Sequence, residues 1–276
     1  MMPSVIEITK DFPPSRERAV LLELLRVVTG LQEAGISFVI CGGWVPFLKE
    51  LARQHHTAHS MSLDIDLVLR AAARERESND RVSLLLAETL AFRRDRDSSF
   101  RYEKDVDGNI VQLDLMADVP RVQEDQAVMK FLGIFSSLDL CLIDGGEELG
   151  DHVEPIRIDW RDRERTGSSE FLVPDAAGFL ILKTAVCHFR EKPKDPYDIY
   201  YYCRYSEAPD RIRQRLEAGN TEPAIERTIA ALRRMFGYED SKWVEMALDH
   251  MNISGEDRDR EARFIVRAVM KTIVGL

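Results

Sequence analysis

The chain has 276 residues, of which 45% are hydrophobic and 31% are charged, and its formal net charge is -10 at pH 7. This length allows one large core or two modest cores, at roughly 150 residues per domain. The acidic balance argues against a broad basic surface that holds long duplex nucleic acid through counterion release, and it is compatible with a small anionic substrate or a single RNA end.

The cysteines and the start of the chain indicate the compartment. Cys41, Cys141, Cys187 and Cys203 are far apart and form no Cys-x-x-Cys pair, so we expect reduced thiols. The first residues contain no basic segment followed by an apolar core, and no later apolar run approaches the roughly 18 residues that a membrane span needs. These features predict a cytoplasmic protein without a membrane segment.

Apolar periodicity in the first part of the chain predicts alternating helices and strands. The predicted helices are 15–32, 44–56 and 81–92, and the predicted strands are 37–41, 63–69, 100–104 and 110–116. The last two strands form a hairpin around a turn at 105–109. This order predicts a small mixed sheet with helices packed on it, in a domain that covers residues 1–120.

Beyond residue 120 the pattern is first irregular and then mainly helical. A strand-like segment at 154–160 precedes a polar loop at 166–169. The predicted helices are 176–190, 195–205, 222–236, 241–251 and 257–274. We therefore expect an α+β protein whose second, mainly helical domain covers residues 121–276.

Two aspartates on one apolar strand, Asp64 and Asp66, are the main candidate functional residues. They project from the same face of the strand, because side chains alternate along it. Adjacent carboxylates repel each other, and Mg²⁺ relieves that repulsion by binding carboxylates together with waters and phosphates. Gly42 and Gly43 follow the preceding strand and offer backbone N–H groups to a triphosphate. An edge strand with a wet face would also explain the pair.

Asp114, between Leu113 and Leu115, is the candidate third carboxylate. It lies on an apolar strand that we expect to neighbour the strand of Asp64 and Asp66. Nucleotidyl transfer depends on positioning and charge neutralisation, which metal ions held by clustered acids provide. In this hypothesis Asp64 and Asp66 hold the metals, while Asp114 shares one metal and accepts the proton of the attacking hydroxyl.

These motifs resemble the signature of the nucleotidyltransferase superfamily typified by DNA polymerase beta. The similar segments are Gly42-Gly43-Trp44, Asp64-Ile65-Asp66 and Leu113-Asp114-Leu115. Ser62 resembles the small hydroxyl residue that one branch has before the aspartate pair. Lys183, together with the later run Lys192-x-x-Asp195-x-x-Asp198, resembles the helices of the AbiEii-type toxin nucleotidyltransferases.

The resemblance implies a fold, a substrate and partners. It implies Mg²⁺ or Mn²⁺ as the metal, a nucleoside triphosphate as the substrate, and a helical domain that closes the nucleotide cleft. The residues that it assigns to the nucleotide are Gly42, Gly43, Ser62, Lys183 and Asp198. It also implies an RNA acceptor such as a tRNA end, and a cognate antitoxin. Without the resemblance, Lys183 is better explained as a lysine at the boundary of the core whose ammonium reaches solvent.

Two other functions are compatible with the sequence. Gly42-Gly43-Trp44 also resembles the Gly-Gly-Trp of aminoglycoside nucleotidyltransferases, and an acidic protein suits a cationic drug as the acceptor. The third hypothesis is a non-catalytic nucleotide-binding protein of the same fold, although the presence of all three candidate acids argues against it.

Overall fold

The computed structural model describes residues 6–7, 16–53, 62–70, 76–98, 100–118, 141–143, 149, 152–162, 165–219 and 222–274. The chain divides into two compact units, Met1–Val173 and Pro174–Leu276.

The described part of the first unit contains a mixed sheet and three helices. Its strands are β1 (Ile6–Glu7), β2 (Phe38–Cys41), β3 (Asp64–Leu69), β4 (Arg93–Arg94), β5 (Arg101–Val106), β6 (Asn109–Asp118), β7 (Cys141–Ile143), β8 (Val153–Asp162) and β9 (Arg165–Pro174). Its helices are α1 (Arg16–Glu33), α2 (Trp44–Ala52) and α3 (Arg76–Leu84), the last continued by a π-helical turn, Leu85–Thr89.

The sheet is ordered β1-β8-β9-β2-β3-β6-β5-β4, with β7 beside the end of β6. β2 runs antiparallel to β3 and parallel to β9. β3 is parallel to β6, and β5 is antiparallel to β6. The three central strands β2, β3 and β6 therefore place the Gly-Gly turn and the aspartate-bearing strands next to one another.

The two faces of the sheet differ in chemistry. Ile65, Leu67 and Leu113 are fully buried on one face, while Asp64 and Asp66 alternate with them on the other. Helix α1 packs on the apolar face, where its fully buried Glu23 accepts a 2.7 Å hydrogen bond from Lys104 of β5. The acids therefore lie on the face opposite α1.

Helix α2 is short and almost completely buried. Residues 44–51 are all buried, and the Lys49 ammonium is paired with Glu154 of β8 at 2.6 Å. Burial of a lysine is tolerated when an opposite charge is in contact with it. This pair fixes α2, and with it the turn that precedes α2, against the sheet.

The second unit is entirely helical in its described part. Its helices are α4 (Ala176–Phe189), α5 (Lys194–Tyr201, continued by a π-helical turn Tyr202–Ser206), α6 (Pro209–Ala218), α7 (Pro223–Phe236), α8 (Lys242–His250) and α9 (Asp257–Val274). Asp175 caps α4 by accepting a hydrogen bond from the Gly178 N–H. Phe179 of α4 stacks on Tyr202 at 4.2 Å between ring centroids. None of the described helices is both long and apolar enough to cross a bilayer.

The α+β fold expected from the sequence is confirmed, with three differences in detail. The first compact unit ends at Val173, later than the boundary expected at 120, because β8 and β9 join the first sheet. Helix α6 was not predicted, since only Ile212 and Leu216 are buried in it. The helix predicted over 44–56 is confirmed as far as Ala52, and residues 54–61 lie outside the described ranges.

The third difference is that the loop predicted at 166–169 belongs to strand β9. Gly167 favoured a loop, but it lies against the indole ring of Trp160, and a Cβ would come within 2.5 Å of that ring. The indole Nε1–H also donates a hydrogen bond to Ser169 Oγ, at 3.2 Å. Glycine occurs inside strands where another group needs close approach to the backbone.

Candidate active site

Three aspartates lie on one face of the sheet because β3 and β6 pair in parallel. Asp66 stands directly opposite Asp114, and Asp64 stands opposite Gln112. Side chains at paired positions point to the same face, so both acids of β3 share the face of Asp114. Asp64 and Asp66 are half-buried, whereas Asp114 is 8% exposed. The neighbouring strands expected from the sequence for these acids are thus confirmed.

Gly42 brings bare backbone against the carboxylate of Asp66. Its φ is +69°, in the left-handed region that favours glycine. A Cβ at this position would lie 1.8 Å from Oδ2 of Asp66 and 2.7 Å from its Cγ. Conformation and space therefore both require glycine here.

The first turn of helix α2 offers few backbone donors beside the Gly-Gly turn, because Pro46 has no N–H and the Val45 N–H donates to the Gly42 carbonyl at 3.4 Å. The N–H groups of Gly43 and Trp44 are therefore the candidates. Gly43 is the N-cap and forms no side-chain capping bond. The first N–H groups of a helix and its dipole attract anions, as a triphosphate site requires.

Trp44 is fully buried and donates its indole N–H to the Asp64 carbonyl at 3.0 Å. This bond ties the start of α2 to the start of β3, and half-buried Ser62 lies just before that point.

Arg101 is a site residue that the sequence analysis did not identify. Its Nε and Nη2 atoms donate to the two carboxylate oxygens of Asp114, each at 2.7 Å. The hydrogen bonding that Arg101 donates to Asp114 raises the pKa of Arg101, and the charges of Asp114 and Asp64 raise it further, although burial acts in the opposite direction.

A signal for Arg101 is present in the hairpin turn. Asp107 and Gly108 both have positive φ, as a two-residue type I′ turn requires. Counting back from this turn places Arg101 opposite Asp114, as observed. The turn dipeptide thus fixes the partner of the third acid.

The donor set fits a divalent cation held partly by substrate. No group of three His, Cys, Asp or Glu side chains in the described ranges forms a ready metal cage. Both oxygens of Asp114 are bound to Arg101 instead. Asp64 and Asp66 supply two carboxylates on rigid strands, and Mg²⁺ is commonly held by one or two carboxylates with waters and substrate phosphates.

Lys183 of the helical unit lies at the centre of a buried ion cluster. Its ammonium donates to Asp195 at 3.0 Å and to Asp198 at 2.8 Å. Arg190 also binds Asp195, and Lys194 also binds Asp198. Lys183, Asp195 and Asp198 are all buried, so the cluster is a fixed element of the unit.

The charges in this cluster stabilise one another. Burial would lower the pKa of Lys183, but the charges of Asp198 and Asp195 outweigh it and raise that pKa. Burial would raise the pKa of Asp195, but Lys183 and Arg190 lower it below its ordinary value of 3.8. Lys183 and Asp195 are therefore both charged at neutral pH.

Comparison with known proteins identifies the family. A family model described as the nucleotidyl transferase AbiEii toxin of type IV toxin–antitoxin systems matches residues 24–262. The chain belongs to this family. No curated protein gives a significant match.

Membership in the AbiEii family confirms several expectations. The chain is a nucleotidyltransferase of a toxin family, which implies a nucleoside triphosphate as substrate, a divalent metal and a cognate antitoxin. The matched range includes every site residue named above. The roles of the individual residues remain predictions.

We expect Gly42→Ala to disable the site and Gly35→Ala to leave it intact. Both glycines have φ near +70°, but nothing lies within 4 Å of a Cβ at Gly35. Alanine in this conformation costs roughly 1–2 kcal/mol, so Gly35→Ala should lower the free energy of unfolding by that amount and keep nucleotide transfer. Gly42→Ala must also displace Asp66, and should lose metal-dependent transfer. Urea unfolding and a transfer assay measure both effects, and equal activity of the two variants would contradict the role of Gly42.

We expect the ion cluster to lose stability in acid through Asp195. Because its folded-state pKa lies below the unfolded value, its contribution is complete above about pH 4 and is lost as pH falls through the folded pKa. Asp195→Asn should therefore be less stable than the parent at pH 7, and the difference should shrink towards pH 3. Urea unfolding at each pH measures this. A difference independent of pH would show that the charge of Asp195 contributes nothing.

Proposed function

We propose that the protein transfers a nucleoside monophosphate from a nucleoside triphosphate to the end of an RNA, such as a tRNA, with Mg²⁺ or Mn²⁺. It would act as the toxin of a type IV pair. The observation that carries the proposal is the row in which Asp66 stands beside Asp114 and against the bare backbone of Gly42. Nucleoside triphosphates and RNA meet in the cytoplasm, where we place the reaction.

The roles of the first unit follow from its geometry. Asp64 and Asp66 would hold the divalent ion, which neutralises charge on the triphosphate when bound. The backbone N–H groups of Gly42, Gly43 and Trp44 would bind phosphate oxygens, with Ser62 as a further hydroxyl donor. Asp114 would complete the acidic site and accept the proton of the attacking hydroxyl.

The helical unit would contribute Lys183 and Asp198 to nucleotide binding. A lysine ammonium has three N–H donors, and in the described residues Lys183 uses two, one on Asp195 and one on Asp198. The third N–H would donate to a phosphate oxygen of the nucleotide. Asp198 would hold the ammonium in place rather than bind phosphate itself.

The choice of RNA rests on the family and on charge. A net charge of -10 does not favour a long duplex, whereas one RNA end needs only local contacts. An aminoglycoside is the second candidate acceptor, because an acidic protein attracts a cationic molecule. A small winged-helix-like protein encoded in the neighbouring reading frame would supply the antitoxin.

We expect Asp66→Asn to abolish metal-dependent transfer and keep the fold. The change removes one ligand charge without altering shape, so the melting temperature of the metal-free protein should not fall and its rise with Mg²⁺ or Mn²⁺ should shrink. The assay uses the four α-labelled triphosphates with total RNA or an aminoglycoside. Glu88→Gln removes an exposed acid outside the site and serves as the control.

Each outcome of this assay decides something. Label on RNA supports the proposal, whereas label on the aminoglycoside alone would show that the aminoglycoside, and not RNA, is the acceptor. Triphosphate binding without transfer to either acceptor would leave the non-catalytic hypothesis. Parental activity in Asp66→Asn would remove Asp66 from the catalytic site.

We expect Lys183→Met to weaken triphosphate binding by about tenfold, which corresponds to one charge-assisted hydrogen bond. Lys194→Met is the matched control, since it removes the same charge from the same cluster. Calorimetric titration with a non-hydrolysable triphosphate measures both variants, after circular dichroism has shown that they are folded. Equal losses of triphosphate affinity in the two variants would show that Lys183 acts through its general charge and not through a contact with phosphate.

A further inference from the structure

The pair of Arg101 and Asp114 lies inside the proposed metal site. Arg101 faces Asp114 across β5 and β6, while Asp66 faces Asp114 across β3 and β6. The guanidinium binds both oxygens of Asp114 at 2.7 Å. Bidentate pairing of this kind is the strongest arrangement that arginine and a carboxylate form. The oxygens that a metal would need from Asp114 are therefore already bound.

The charge of Arg101 also reduces the repulsion among the three aspartates when no metal is bound. Three carboxylates on neighbouring positions of one face repel one another, and Asp114 is buried. One guanidinium reduces three negative charges to two, which is the charge that a single divalent cation neutralises. Arg101 thus stabilises the group of three carboxylates, Asp64, Asp66 and Asp114, when no metal is present.

We propose that Arg101 is a positioning residue that competes with the divalent cation for Asp114. The inference rests on the proposed function, because it takes Asp64 and Asp66 as the primary metal ligands. Asp114 is then available to the cation only when the guanidinium leaves it. A released guanidinium is itself a bidentate donor for phosphate, so an incoming triphosphate offers it a new partner.

A purely structural pair predicts the opposite result for metal binding. If Arg101 only held β5 and β6 together, its removal would loosen the row and weaken the site. If Arg101 competes with the metal, its removal makes the site bind the metal more tightly. The affinity of the protein for a metal ion alone therefore separates the two roles without any measurement of activity.

The test is a calorimetric titration with Mn²⁺ and no nucleotide. We expect Arg101→Gln to bind Mn²⁺ about tenfold more tightly than the parent, the equivalent of one charge-assisted hydrogen bond. Arg93→Gln is the matched control. Arg93 is an exposed residue of the edge strand β4. It stands opposite Glu103 of β5, on the same face of the sheet as Asp114. Its removal changes the net charge equally, so a general effect of charge would appear in both variants.

A double-mutant cycle assigns the effect to Asp114. In an Asp114→Asn background, Arg101→Gln should raise the affinity for Mn²⁺ no more than Arg93→Gln does. If Arg101→Gln does not fold, Arg101→Lys keeps the charge and loses the two-pronged contact. The affinity of Arg101→Lys for Mn²⁺ should then lie between that of the parent and the affinity expected when Asp114 is fully released from residue 101.

Three results would overturn the inference in distinguishable ways. If the parent binds Mn²⁺ and transfers nucleotide but Arg101→Gln binds Mn²⁺ no more tightly, the competition between Arg101 and the metal is wrong and the proposed function still stands. An equal rise with Arg93→Gln reduces the effect to net charge. A parent that binds no Mn²⁺ and transfers nothing removes the proposed function together with the inference.

Discussion

The parallel pairing of β3 with β6 is the constraint on which the candidate site depends. It places Asp66 beside Asp114 with a register that a shift of one residue would destroy, because such a shift turns every side chain of a strand to the other face. The apolar face protects this register. Ile65, Leu67 and Leu113 are fully buried, and slippage would expose them and bury the aspartates. Hydrophobic burial thus positions the charged groups.

The Gly-Gly turn and Trp44 use that register to fix the remaining parts of the first unit. Gly42 lies against the Asp66 carboxylate, and the Trp44 indole binds the backbone of Asp64. The start of α2 therefore approaches the acids through two different contacts, one steric and one a hydrogen bond. A phosphate held by the N–H groups of Gly43 and Trp44 would lie close to a cation that Asp64 and Asp66 would hold.

Local patterns in the sequence predicted more of the site than of its surroundings. The aspartate pair, the glycine turn and the third acid stand out because short apolar strands carry them. Arg101 was missed, although the Asp107-Gly108 turn fixes its register with Asp114. Strand β9 was missed because Gly167 looks like a loop residue until its contact with Trp160 is known. Such contacts depend on tertiary packing, which periodicity along the chain does not encode.

The two units carry opposite charge balances at their functional candidates. In the first unit, three aspartates against Arg101 leave two negative charges, which suit a divalent cation. In the helical unit the cluster holds three cations, Lys183, Lys194 and Arg190, against two aspartates. The remaining positive charge suits a phosphate. Each cluster therefore pairs charges of both signs within its own unit, and each leaves an imbalance that a ligand of the opposite charge can neutralise.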